Sequence, residues 1–535
     1  MPSSDCYPID VAPGQSRLFL DYCAADPAVR PFYPSLPREN GWQQRCPRPD
    51  HWHEIVDLLA QQNPSSSAAE SIAILRAGAA TVLTGQQVGL FGGPLYTPFK
   101  AATALARARQ ATTAGQPHVA IFWLATEDHD FAEINHVSFP SRKELRKLVY
   151  SKTPATPIPA GNVVIDETIA PLIDQAWELL GSSDTMDVLV AAYKPGRTFG
   201  QAFADFYSKA FGAHGLLILD ASSAEIHRLG SPVLKTAIER ADEFHAALLG
   251  RNKTLEAAGY HAQVAVAPDS SLLFLLDERT GARLSLKRTP SSGAEPQGLW
   301  QAGRDRFTTA DLLGILAAEP QRISPAALLR PIFQDYLLGT SLIIGGPAEI
   351  AYFAQSAVLY ERILGRITAA EPRLSATLIE PAIGELLHKH DLGIDRVFHE
   401  SADSLAQVLA ARAMPIEGKQ KLSSAGKALD AELQPLIEYM HAMDPGLGRS
   451  ADTAASKMRY QMNRLRRLAA NFEMQREGSL RRHAEAIERA LNPGGVLQER
   501  VHGAAYYLAR YGFELAETLT ELATDPCPGH KAVWL

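Results

Sequence analysis

Cysteine is scarce in this chain, with four in 535 residues: Cys6, Cys23, Cys46 and Cys527. None forms a C-x-x-C pair and three stand within the first 46 residues, so neither a zinc site nor a redox dithiol is indicated. A chain of this length buries a core large enough to need no disulfide, and a reducing compartment is the simplest reading. Long apolar runs are missing too. No stretch approaches the ~20 residues that span a bilayer. The N-terminus, MPSSDCYPID, lacks the basic segment and apolar run of a secretory signal. These absences predict a cytoplasmic protein with no membrane partner. Positive charge is also short: 52 Lys and Arg face 59 Asp and Glu, for a formal net charge of -7. That balance argues against nucleic acid as a partner, because gripping a phosphate backbone takes clustered cations. The sequence contains no Walker A, no G-x-G-x-x-G and no G-x-S-x-G.

What is present is a rhythm. Thr81–Thr84, Val119–Ala125, Leu216–Leu219 and Ser341–Ile344 are short apolar runs, each followed by a polar or glycine-rich loop and then a helical pattern. Strands buried on both faces read this way, and their repetition predicts a doubly wound α/β core. Residues 1–139 then form an N-terminal arm and the first part of the core, and 140–200 a connecting insertion. Residues 201–400 complete the core, with an inserted β-hairpin near 260–300 turning at Gly281 and a loop from Pro290 to Gly298. Residues 401–495 predict a helical hairpin, and 496–535 a helical segment packing on the core. Leu422, Leu429, Leu433, Leu436 and Met440 mark one face of its first helix, and Asp444–Gly448 reads as a turn. A second helix from Ser456 to Leu491 carries Met458, Met462, Leu465, Ala469, Phe472, Ile487 and Leu491 at alternating three and four spacing. Such a helix is about 50 Å long and packs best against another copy, which predicts a homodimer through the coiled coil.

Three loops carry candidate chemistry. In Thr84–Pro94, Gly85, Gly89, Gly92 and Gly93 permit close backbone approach before a helix N-terminus, where unpaired N–H groups welcome an anion. Gln86 and Gln87 are placed to orient a ligand. Thr97 and Pro98 suit the start of the helix, and Lys100 lies one turn in. The run Glu127, Asp128, His129 and Asp130 follows an apolar strand, where α/β sheets gather ligands. A carboxylate beside an imidazole suits proton transfer near neutral pH, and one or two carboxylates also suit magnesium. Gly345, Gly346 and Glu349 form a second anion-compatible turn, with Arg330 on the helix before it. A structural turn or an acidic helix cap is the plain alternative in each case.

Longer stretches add a resemblance. TGQQVGLFGGPLYTPFKA (Thr84 to Ala101), FWLATEDHDFAEINHV (Phe122 to Val137), GGPAEIAYFAQ (Gly345 to Gln355), RLSATLIEP (Arg373 to Pro381) and NPGGVLQER (Asn492 to Arg500) occur in order along the chain. Together they resemble the cysteine-adding enzyme family of bacillithiol biosynthesis. The resemblance implies a Rossmann-like core, a C-terminal coiled coil that mediates dimerisation, and the amide joining of L-cysteine to glucosaminyl malate. A carboxylate is a poor acylating agent, so that reaction implies ATP as adenylating or phosphorylating agent, and with it Mg²⁺. It also asks for a base, for which Glu127, Asp128 and His129 are candidates, and for cations toward the malyl carboxylates, for which Lys100 and Arg330 are candidates. Gln498, Glu499 and Arg500 are added as candidate nucleotide contacts, and no metal ligand is assigned. An adenylate-forming nucleotidyltransferase and a non-catalytic coiled-coil scaffold are the alternative readings.

Overall fold

The computed structural model of the protein describes residues 2–37, 39, 41–44, 48–289, 298–525 and 527–535. It divides into two compact units, one of residues 1–141, 145–377 and 499–531, the other of 142–144, 378–498 and 532–535.

The first unit is organised by a five-stranded sheet of β1 (Ala80–Gln86), β2 (His118–Leu124), β3 (Leu217–Asp220), β4 (Thr340–Gly345) and β5 (Ala369–Pro372). Its spatial order is β5-β4-β1-β2-β3, and every pairing is parallel. All seven residues of β2 are buried, which is why its sequence from Val119 onward is apolar rather than alternating. Leu83, Trp123, Leu219 and Ile344 are each at most 1% exposed. Helix α1 (Tyr96–Thr113) links β1 to β2, α2 (Phe199–Phe211) leads into β3, and α3 (Ala224–Glu239) follows it. Helix α4 (Arg330–Leu338) precedes β4, and α5 (Pro347–Leu364) links β4 to β5. From β1 the chain winds toward β2 and β3, whereas from β4 it winds the other way to β5. The carboxyl ends of β1 and β4 therefore flank the topological switch point, the place where this architecture opens a crevice.

Three expectations change in this unit. The hairpin at Gly281 is real, with Leu276 paired to Arg283, but it is part of a five-stranded antiparallel sheet. Two of the added strands, Leu299–Ala302 and Asp305–Thr308, are too short to show a period of their own. Most of the expected Pro290 to Gly298 loop lies outside the described residues. Helix α1 begins at Tyr96 with Leu95 at the N-cap, so Thr97 lies inside its first turn and caps nothing. The expectation of unbridged cysteines also fails: Cys6 and Cys527, at opposite ends of the chain, form a disulfide. No local spacing reveals a pair that far apart. Cys23 is buried and takes no part in this bridge.

The second unit is helical. Helices α6 (Ile416–Met443) and α7 (Pro445–Arg476) form the hairpin, and α8 (Ser479–Leu491) follows. The expected break falls at Asp444, but residues 445–448 already belong to α7. Asp444 caps α7 by accepting from the N–H groups of Gly446 (2.7 Å) and Leu447 (2.9 Å), and Pro445 takes the first helical position. The expected single second helix is broken at Glu477 and Gly478. The intramolecular seam comprises Leu433, Ile437, Ala451 and Ala455, with Leu429 and Met440 packed on it. Leu436, Met458, Leu465 and Phe472, read from the sequence as apolar face residues, lie outside that seam and are exposed. Among the described residues no helix is long and apolar enough to cross a membrane.

Candidate functional site

A cavity of about 580 Å³ opens at the switch point, lined by the ends of β1 and β4, the first turns of α1 and α5, and the start of α4. Its walls are charged, and the charges come in pairs. Lys100 reaches back from α1 to the carbonyl of Gly85 (2.8 Å), Gln86 Oε1 (3.0 Å) and Glu349 Oε2 (2.5 Å). Burial lowers its ammonium below the usual range, although Glu349 opposes that shift. Glu349 also accepts from the N–H of Gly346 (2.7 Å), closing the turn that starts α5. Arg330 makes a two-pronged contact with Asp128, and Arg283 stands 3.6 Å from the same carboxylate. Burial alone would raise the Asp128 carboxyl, but Arg330 and then Arg283 hold it below the usual range. Asp128 is therefore an anchor for guanidinium groups and a weak proton acceptor.

Arg373 completes the set. It is buried and bidentate on Glu499, at 3.0 and 2.6 Å, and its Nε has no hydrogen-bond partner among the described residues. Its guanidinium lies 5.3 Å from the Tyr96 ring centre, and that of Arg500 lies 5.9 Å from it. Arg500 is exposed at the cavity edge and has no ion-pair partner among the described residues. A second cavity of about 320 Å³ adjoins the first, and the two share Gln86, Gln87, Tyr96, Glu133 and Arg500. Gln87 Nε2 donates to Glu133 (2.9 Å), and Gln86 Nε2 to the Tyr96 hydroxyl (3.3 Å).

The candidates thus separate. Gln86, Gln87, Lys100, Asp128, Arg330, Gly346, Glu349 and Arg500 line the large cavity, and Gly89 lines the small one. Gly92 and Gly93 form the back of the glycine loop. A Cβ on Gly92 would sit 2.4 Å from the Phe206 ring, and its carbonyl accepts from the Tyr207 hydroxyl (2.7 Å). Gly345 sits at the end of β4, where its carbonyl accepts from the Arg373 N–H (2.9 Å). Glu127 is buried in an ion pair with His227 Nε2 (2.8 Å). His129 faces Arg283 Nη1 (3.4 Å), and burial and Arg283 together lower its imidazole. Asp130 is exposed. Glu499 serves Arg373. Gln498 belongs to the helical unit, where it is tied to the backbone of Leu378 and Ala490. Sequence reasoning missed Arg373, Tyr96, Glu133 and His136. All four lie within the stretches that carry the family resemblance, so position in those stretches was the available signal.

Comparison with known proteins agrees with this architecture. A family model described as "Bacillithiol biosynthesis BshC, N-terminal Rossmann-like domain" matches residues 5–374, and one described as "Bacillithiol biosynthesis BshC, C-terminal coiled-coil domain" matches 376–534. A Koribacter versatilis (strain Ellin345) protein named "Putative cysteine ligase BshC" is 39% identical over 99% of each chain. Proteins of the same name are 34% identical in Solibacter usitatus (strain Ellin6076), over 97% of this chain and 98% of that one, and 31% identical in Salinibacter ruber (strain DSM 13855 / M31), over 96% of each.

Proposed function

Because the chain belongs to the BshC family of bacillithiol biosynthesis, we propose that it is a ligase that joins L-cysteine to glucosaminyl malate through an amide bond. The observation that carries this reading is the switch-point cavity. Lys100, Arg330 and Arg373 are held there against carboxylates, while Arg500 and Arg373 Nε remain uncommitted among the described residues. Both substrates bear carboxylates, and charge-assisted hydrogen bonds from guanidinium groups recognise them best.

A carboxylate acylates an amine only after its oxygen becomes a good leaving group, and that activation is the chemistry ATP supplies. Arg373 Nε and Arg500 fit a phosphate as well as a carboxylate. A protein-built metal cage is not found among the described residues. Magnesium held by phosphates and a single carboxylate needs no such cage. Asp128 and Glu349 are engaged with cations, so Glu133 is the wall carboxylate that fits this role. Lys100 and Arg330 orient the substrates, and the guanidinium groups of Arg373 and Arg500 both lie within 6 Å of the Tyr96 ring centre. The same reading includes a homodimer, supported by the exposed apolar stripe of α7.

The direct test combines purified protein, ATP, cysteine and glucosaminyl malate, with mass spectrometry of thiol and nucleotide products. ATP-dependent appearance of the cysteinyl amide is the expected result. Cysteine-dependent nucleotide turnover without the amide points instead to a nucleotidyltransferase.

A further inference from the structure

The smaller cavity is built on a short antiparallel pair, His136–Pro140 with Leu145–Val149, in which His136 faces Val149 and Ser138 faces Lys147. Side chains alternate along His136–Pro140. Val137 and Phe139 are buried, whereas His136 and Ser138 lie on the half-open face that borders the cavity. Lys147 is the diagonal neighbour of His136 on that face. His136 Nδ1 lies 3.1 Å from the carbonyl oxygen of Ala132 and 3.3 Å from Asn135 Oδ1. A backbone carbonyl only accepts, so Nδ1 carries the hydrogen and the neutral ring keeps its lone pair on Nε2. Among the described residues Nε2 has no hydrogen-bond partner, and neither Lys147 nor Arg500 has an ion-pair partner.

We propose that this cavity seats the amine-bearing acceptor, with His136 Nε2 taking the proton from its nitrogen and Lys147 and Arg500 holding its carboxylates. The inference rests on the ligase reading and deepens it. The acceptor ammonium loses one proton to Nε2, and the freed nitrogen pair forms the C–N bond to the acyl carbon of nucleotide-activated cysteine. The C–O bond to the activating group breaks and keeps its electron pair, and the second nitrogen proton leaves to solvent. The shared wall of Gln86, Tyr96 and Arg500 lets the nitrogen meet the acyl group across the boundary of the two cavities. His136 suits this task better than the acidic cluster does. Asp128 is committed to two arginines, and His129 faces one of them.

Lys147 from the paired strand is the charge that acts on His136, and Glu133 and Arg500 line the same cavity. Burial first and Lys147 second lower its imidazole from the ordinary histidine value. The acid limb of amide formation should therefore fall below pH ~6.5, the ordinary histidine value.

The test uses the full chain in two arms. In the kinetic arm, His136→Gln should slow amide formation about a hundredfold to ten-thousandfold, abolish the acid limb, and leave cysteine-dependent nucleotide turnover intact. Lys147→Gln should shift that limb to higher pH. In the binding arm, calorimetry with glucosaminyl malate should show about tenfold weaker binding for Lys147→Gln and Arg500→Gln, and near-normal binding for His136→Gln. If the wild type forms the amide and all three variants bind and react as it does, the site assignment is overturned. If no protein forms the amide but both cation variants lose binding, the acceptor site stands, whereas the ligase reading and the proton-transfer role fall.

Discussion

Along β2, seven consecutive residues are buried, whereas along α7 Met458, Leu465 and Phe472 remain 49%, 54% and 62% exposed. Both segments look apolar in the sequence. The strand finds cover within its own chain, because helices of the α/β core close over each face of the sheet. The hairpin finds cover for one stripe only. Its seam uses Ala451 and Ala455 opposite Leu433 and Ile437, so α6 and α7 approach closely along a narrow line. The larger side chains of α7 then form a second stripe, spaced by seven residues from Met458 to Leu465 to Phe472. That spacing is the signature of a surface that receives another helix. The difference teaches that apolar periodicity identifies a buried face without saying which molecule buries it.

The comparison breaks most sharply if the core tolerates loss of charge or volume. Glu499→Leu leaves the Arg373 guanidinium buried without its partner and should cost about 3–5 kcal/mol in urea unfolding. A loss below 1 kcal/mol would mean that water reaches this pair. Trp123→Ala empties a fully buried site packed edge-on against Phe333 and should cost a similar 3–5 kcal/mol. An unchanged urea midpoint would contradict the burial of β2.

Acid should weaken the first unit next. His530 bonds Ser375 and Thr377 through its two ring nitrogens, both at 2.8 Å, and burial pushes its imidazole down to about 4. The unfolded chain takes up a proton near pH ~6.5, whereas the folded ring does not until about pH 4. Stability is thus complete above pH ~6.5 and declines as pH falls toward 4, by roughly 3 kcal/mol. Denaturant midpoints at pH 7, 5.5 and 4 test this, and His530→Gln should flatten the trend between them.

The hairpin should respond least in stability and most in assembly. Leu465→Lys with Phe472→Lys should change unfolding of the dissociated single chain by no more than about 0.5 kcal/mol, as expected of positions exposed in one copy. The same pair should convert a dimer to a monomer in analytical ultracentrifugation at micromolar concentration. A wild-type chain that sediments as a monomer at every concentration would remove the homodimer and leave the stripe without a function.

Four of the five strands were legible because short apolar runs mark them, and all four appear in the sheet; β5, which reads Ala-Ala-Glu-Pro, carries no such run. The loop after β1 was legible as a cavity wall, because Gln87 and Gly89 follow the strand. The long-range ion pairs were not legible. Glu127 meets His227, and Arg373 meets Glu499, across sequence distances of a hundred residues or more, and no local spacing encodes such meetings. The break at Asp444 was read correctly, but the second helix starts at Pro445 rather than near Ser456, for a different reason. Proline followed by glycine reads as a stop, but proline preceded by a capping aspartate is also how a helix starts. On α7 the apolar stripe was visible, yet two stripes compete on one helix, and small residues decided which of them packs within the chain.

The bond between Cys6 and Cys527 closes nearly the whole polypeptide into a ring, its partners 521 positions apart. A ring has no fragments after one cut. A protease that nicks a single surface loop anywhere between these two residues should leave one covalent molecule, migrating as a single species until a reductant is added. Limited digestion compared with and without thiol therefore reads the closure of this ring directly. Two bands should appear only in the reduced lane after one cleavage, and the masses of those bands locate the exposed loop.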